Sequence, residues 1–402
     1  MVGSSLVQFA LVWWLTLETH SGTVLALGTL MGVLPQILIT PWAGAYVDRW
    51  DRRRTMIVAD SLVASATLLL MVAYASGNVE VWMVLLVMFA RSTFSGFHWP
   101  AMQAATSMMV PDEHLARIGG INQAMYGLAT VIAAPAGAFL IILLPMWGVL
   151  SVDLITAALA IFPLLLINVP NPERKKGEKA SLMKDMREGL SFLRSWEGAM
   201  SIIFLFMIGN LLLSPAFTLI PLLVIDHFGG GVAELGAMEA LAGIGMLVGG
   251  IALGVWGGFR RKVLTLLFST IILSLGVAAL GLLPADLLFW AYISALLIGG
   301  MLAMLNGSMM AMMQATVPFA MQGRVFALIS SGVTAMMPAG LLLAGPLADV
   351  AGVQLWYLIA GIPMFAISVL YLFIPSVMGM ETTVFRNGNA TEETGGTDEI
   401  GV

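Results

Sequence analysis

Arg91 stands inside the apolar run VWMVLLVMFARSTFSGFHWP at 81–100, roughly 12 residues and about 18 Å from its outer end at 1.5 Å of rise per residue. A guanidinium at that depth costs about 2.5–3.5 kcal/mol on insertion scales, so it is expected to face the protein interior and take a partner. His98 follows two helical turns later on the same face, and Gly96 permits close helix approach. Asp60, Asp153, Glu239 and, at the end of the first run, Glu18 are carboxylates in or near apolar runs. Carboxyl groups at such depth suit proton exchange, because burial favours the protonated form. Glu239 is the first choice for that role and Asp153 the second; plain structural pairing competes with it at every one of these positions. For Arg91 the competing reading is a hydrogen-bond hub, and for His98 a packed core histidine.

A few amides share this setting. Gln123, Asn210, Asn306 and Gln314 are expected to line a mostly apolar cavity, since polar groups at lipid depth seldom face lipid. The run MLAMLNGSMMAMMQ at 301–314 is the densest of the 29 methionines. Flexible thioethers suit varied hydrophobic ligands, although core packing is the plainer account.

The elements that hold these residues follow from composition. The chain has 402 residues, 59% hydrophobic and only 10% charged, with a mean hydropathy of +0.95. Soluble domains carry about 25% charged residues, so the solvent for most of this chain is lipid. Apolar runs lie at 1–17, 23–46, 55–76, 79–104, 119–144, 147–168, 198–226, 233–256, 262–283, 286–313, 325–348 and 353–376. Backbone groups in lipid need internal partners, which makes each run a helix. The expected fold is an all-α membrane protein of twelve transmembrane helices. Every Lys and Arg except Arg91 falls in alternate gaps or the tail, which places both termini in the cytoplasm and the chain in the plasma membrane.

Several chemistries are excluded or disfavoured. Zero cysteines leave no disulfide framework or thiolate chemistry, and the four histidines lie in different segments without metal-ligand spacing. No triad pattern, phosphate loop or nucleotide fingerprint points to an enzyme or an ATP-driven pump. Neither a cofactor nor a nucleic-acid partner is implied.

Internal repeats divide the chain. VPDEHLAR at 110–117 is echoed by VPFAMQGR at 317–324, GAYVDRWDRRR at 44–54 by GVWGGFRRK at 254–262, and AAPAG at 133–137 by AGPLA at 344–348. The reading is a six-helix half at 1–169, a cytoplasmic connection with an amphipathic helix at 170–197, a second half at 198–378, and a polar disordered tail at 379–402. Two repeated halves around a central site is a design of secondary transporters.

The stretch Gly44-AYV-Asp48-Arg49-W-Asp51-Arg52-Arg53 resembles the loop between helices 2 and 3 of the major facilitator superfamily. ARSTFSG at 90–96 is similar to that family's helix 4 pattern. Gly127 with Pro135 and Gly137 resembles its exporter-type helix 5 pattern, although Ala134 stands where a glycine usually precedes the proline. The fuller runs are most similar to the macrolide-efflux branch of the drug-proton antiporters. The resemblance implies a secondary transporter, working as a monomer, that exports lipophilic small molecules by proton antiport with alternating access. It also implies a longer, basic start, so the run Leu6–Leu17 is expected to be a shortened first helix. Asp48 is expected to gate the cytoplasmic side by accepting hydrogen bonds from a helix amino end or an arginine. The loop's arginines anchor it at the headgroups. Rival readings are an importer or exporter of a metabolite such as a siderophore, and a non-transporting membrane scaffold.

Overall fold

The computed structural model describes residues 2–47, 50–167, 187, 190–194, 196 and 198–380. Asp48 and Arg49, most of the 170–197 connection and the tail after residue 380 lie outside the described residues, as do the surroundings of Gly44 and the side chain of Gln123. Helices α1 (Val2–Thr19), α2 (Gly22–Val47), α3 (Arg52–Ala75), α4 (Val81–Met109), α5 (Asp112–Leu143) and α6 (Met146–Leu166) come first. After the connection come α7 (Ala199–Thr218), α8 (Val232–Trp256), α9 (Lys262–Leu282), α10 (Leu288–Thr316), α11 (Phe319–Thr334), α12 (Met336–Ala351) and α13 (Val353–Tyr371). A short turn of helix and a π-helical turn, Leu223–His227, lead from α7 towards α8.

No strand occurs among the described residues. Ten helices there are long and apolar enough to cross a membrane, where twelve spans were expected. The two other runs are α1, whose first turns carry Ser4, Ser5 and Gln8, and α5, whose described apolar stretch Gly127–Leu143 is shorter. The run predicted at 325–348 is one span built of two helices, α11 and α12, separated at Ala335. Pro338 accounts for the break, because its ring excludes a bond to the Thr334 carbonyl four residues back.

The loop from α2 to α3 is held by its charges. Asp51 caps α3, its Oδ1 accepting from the Arg54 backbone N–H at 2.9 Å. Arg53 donates from Nε to the Leu164 carbonyl at 2.5 Å and from Nη2 to the Leu165 carbonyl, satisfying acceptors that the end of α6 leaves open. Arg52 is buried and donates to the Met108 sulfur. Its echo between α8 and α9 turns through Gly257 and Gly258, with φ of +74° and +76°, and Phe259 N–H donates to Thr265 Oγ1 at 2.8 Å.

The chain gathers into two compact units. One comprises Met1–Gly177, Thr218–Ala240 and Leu341–Val353; the other comprises Glu178–Phe217, Leu241–Gly340 and Gln354–Val402. In the first, Val7, Leu11, Leu15, Leu70, Val84, Met88 and Leu150 pack as a core. In the second, Met309, Met312 and Met313 pack with Leu205, Leu266 and Val325, so much of the methionine-rich run is interior packing. Leu69, Phe139, Leu159, Val255 and Phe289 are exposed, as lipid-facing side chains are in a membrane protein.

Within the second unit, backbones of α8 and α10 meet at glycines. A Cβ on Gly245 would lie 2.0 Å from the Leu296 carbonyl oxygen, and one on Gly249 2.2 Å from that of Gly300. A backbone atom cannot yield as a side-chain tip does. Gly245→Ala is therefore expected to destabilise the protein by about 1–3 kcal/mol through overpacking, read as a lower thermal unfolding midpoint in detergent; an unchanged midpoint would show that the helices separate freely.

Candidate functional site

The helical period sets the site. Asp60, Val63 and Thr67 lie along one side of α3, Arg91, Ser95 and His98 along one side of α4, and Asp153, Thr156, Ala157 and Ala160 along one side of α6. Spacings of three, four and seven bring each set onto one face. In the first unit these faces converge, joined by Ser4 of α1 and Gln36 of α2, around a cavity of about 510 Å³.

Arg91 does find a partner. Its Nη1 pairs with Asp153 Oδ2 and donates to Thr67 Oγ1. Thr67 Oγ1 donates to Asp153 Oδ2 at 3.1 Å, and Ser4 Oγ donates to Asp153 Oδ1 at 3.1 Å. Asp153 is 2% exposed and Arg91 7%. This carboxylate therefore meets one guanidinium and two hydroxyls, a set of donors that fixes its position.

A second pair lies on the same cavity. His98 Nε2 stands 3.5 Å from Asp60 Oδ2, and both side chains are half-buried. Their separation is at the outer limit of a direct hydrogen bond, and the pair has access to the cavity. The cavity is therefore bordered by Asp153 of a tightly bonded ion pair and by a looser pair, His98 and Asp60. Gly96, as expected, lets α4 approach α2, with Ile39 Cγ2 3.3 Å from the position of a Cβ.

Other expected site residues fall elsewhere. Glu239 is half-buried in α8 and does not line this cavity. Asn210 and Asn306 do come together, on a cavity of about 90 Å³ in the second unit that Ser214 and Thr270 also line. Gln314 is exposed at the end of α10, its carbonyl accepting from Gln322 Nε2 at 3.2 Å, and it lines neither cavity. Pro135 is half-buried within α5. Gly137 packs on α1, where a Cβ would meet the Phe9 ring at 2.7 Å, whereas Gly127 has open space around it.

Sequence reasoning missed a third cluster in the first unit. Asp349 of α12 accepts from the backbone N–H groups of Gly22 (2.5 Å) and Thr23 (3.2 Å) and from the hydroxyls of Ser21 (3.0 Å) and Thr23 (2.5 Å). An anion on the first amides of α2 is electrostatically well placed. Beside it, His20 Nδ1 lies 2.7 Å from Asp226 Oδ1. The polar break at Ser21-Gly22-Thr23 was the available signal, but its partner is more than 300 residues away.

Long apolar helices with an arginine–aspartate pair buried beside a polar cavity are the build of a multi-pass membrane transporter. The chain belongs to the Major Facilitator Superfamily, whose family model matches residues 1–339. It is 28% identical over 382 residues to macrolide efflux protein A of Streptococcus pyogenes, covering 95% of this chain and 94% of that one. It is 27% identical over 397 residues to the multidrug efflux pump Tap of Mycolicibacterium fortuitum, covering 94% and 93%. Among solved structures, a POT family transporter in complex with 5-aminolevulinic acid aligns with a TM-score of 0.69 at 15% identity, covering 94% of both chains. The nucleoside transporter NupG aligns with 0.66 at 13%, covering 92% of this chain and 96% of that one. The family and the bacterial relatives place the chain in the plasma membrane as a transporter, not an enzyme.

Proposed function

We propose that this protein exports lipophilic small molecules, macrolide-like or of a broader drug range, in exchange for protons and by alternating access. The names and near-complete coverage of its efflux relatives support the direction and the substrate class. The observation that carries the coupling is the His98–Asp60 pair on the cavity wall. Asp153 was a stronger choice from sequence, but three donors surround it, whereas Asp60 has one partner at 3.5 Å and access to the cavity. We assign proton exchange to Asp60, with His98 as its relay, and an ordering role to Arg91–Asp153.

In this reading the halves 1–169 and 198–378 move as bodies, in a monomer with both termini cytoplasmic. The Asp349 clamp ties α12 to the start of α2 and must release when that side opens. The Gly44–Arg53 loop, with Asp48 as gate, governs the opposite side. Asn210 and Asn306 offer amides to the substrate's polar groups.

The test is accumulation of a labelled macrolide and a fluorescent cationic dye in a drug-sensitive bacterium. Expression should lower both, and an uncoupler should restore them. Equal accumulation with and without protein verified in the membrane would remove the export reading for these compounds.

A further inference from the structure

A second large cavity, of about 550 Å³, lies on the basic side of the first unit and takes no part in the coupling site. That volume falls within the range of about 300–1,000 Å³ typical of ligand sites. Its walls are Trp50, Val58, Leu62, Phe94 and Phe97, with Arg54 at the rim. Trp50 stacks on Phe97 at 6.2 Å between ring centroids, giving the cavity a flat aromatic end.

Two observations choose the occupant. First, Val58 and Leu62 begin an exposed apolar stripe of α3 that continues through Leu69 and Val72, one face at helical spacing. In a membrane-spanning helix such a stripe faces acyl chains, so the cavity is continuous with lipid. Second, the described arginines of the loop differ in their engagement. Arg52 is buried against Met108 and Arg53 is bound to the carbonyls that end α6; Arg54 is exposed and is the arginine that lines this cavity. Asp51, which also lines the cavity, accepts at Oδ1 from the Arg54 backbone amide as the helix cap.

We propose that this cavity is a binding site for an anionic phospholipid of the adjacent leaflet, with a tail against Val58, Leu62 and Phe94 and the phosphate on Arg54. A guanidinium suits a phosphodiester through paired charge-assisted hydrogen bonds. The site gives the transporter a lipid ligand distinct from its cargo. It goes beyond the export reading and stands whether or not that reading holds.

Native mass spectrometry of the delipidated full chain tests it, with dioleoyl phosphatidylglycerol and dioleoyl phosphatidylcholine added at equal concentration. One phosphatidylglycerol should be retained about fivefold better than phosphatidylcholine, the scale of one basic residue at a membrane surface. Arg54→Gln should abolish that preference, and Leu62→Trp, which fills the cavity, should lower retention of both lipids. Arg260→Gln, an exposed arginine outside the cavity, should leave the preference intact. Equal retention of the two lipids, or a preference that survives Arg54→Gln, would overturn the proposal. So would displacement of phosphatidylglycerol by a macrolide, which would assign the cavity to cargo.

Discussion

Replacing Asp153 by alanine is expected to cost about 3–5 kcal/mol of stability, the scale of breaking a buried ion pair by removing one partner. Arg91 is 7% exposed, so without Asp153 its charge stays buried and keeps only Thr67 Oγ1 of its present partners. Ser4 would also lose its acceptor, whereas the Thr67 hydroxyl would keep the Val63 carbonyl at 3.0 Å. The double variant Arg91→Met/Asp153→Leu should recover most of the loss, because apolar groups of similar volume carry no desolvation cost. Thermal unfolding of purified protein in detergent measures both. A single variant as stable as the parent would show that the pair holds nothing together, and a double variant that folds but does not transport would give Arg91–Asp153 a place in transport itself.

Asp60→Asn is expected to act on transport rather than folding. Asn keeps the volume and a hydrogen bond to His98 but cannot release a proton. Uncoupler-sensitive export should fall to the level of cells lacking the protein, while stability changes by less than about 1 kcal/mol, as for a partly exposed pair. His98→Gln, which cannot relay a proton, should slow uncoupler-sensitive export, and Glu239→Gln should export normally. Normal uncoupler-sensitive efflux by Asp60→Asn, or its loss in Glu239→Gln, would move the proton to another carboxylate.

Part of this was legible in the sequence because lipid leaves few options. Apolar run lengths predicted helices, and the depth of Arg91 predicted a buried partner. Which partner was not legible: Asp153 is 62 residues away on another helix, and helical periodicity orders one face at a time without saying which faces meet. The same limit applies to His98: its face on α4 was legible, but its partner Asp60 on α3 was not. Gln314 shows a different limit. Its position at the end of α10 lies where polar side chains reach the surface, so lipid depth no longer compels it inward. The break at Ala335 was encoded by Pro338, but a hydropathy window averages across it. Asp349 escaped notice because carboxylates near the ends of spans are common, and only three-dimensional placement on the α2 amides distinguishes this one.

The central claim is that substrate and protons move in opposite directions through this chain, with Asp60 as the coupling group. Its most direct measurement is uptake of a labelled macrolide into proteoliposomes holding the full chain, with the lumen acidic and an equal pH imposed in a parallel set. Protein-free vesicles correct for trapping of a basic drug. The account predicts gradient-driven uptake above that correction in the parent and none in Asp60→Asn. Uptake in the parent that ignores the gradient, or gradient-driven uptake that persists in Asp60→Asn, would contradict it.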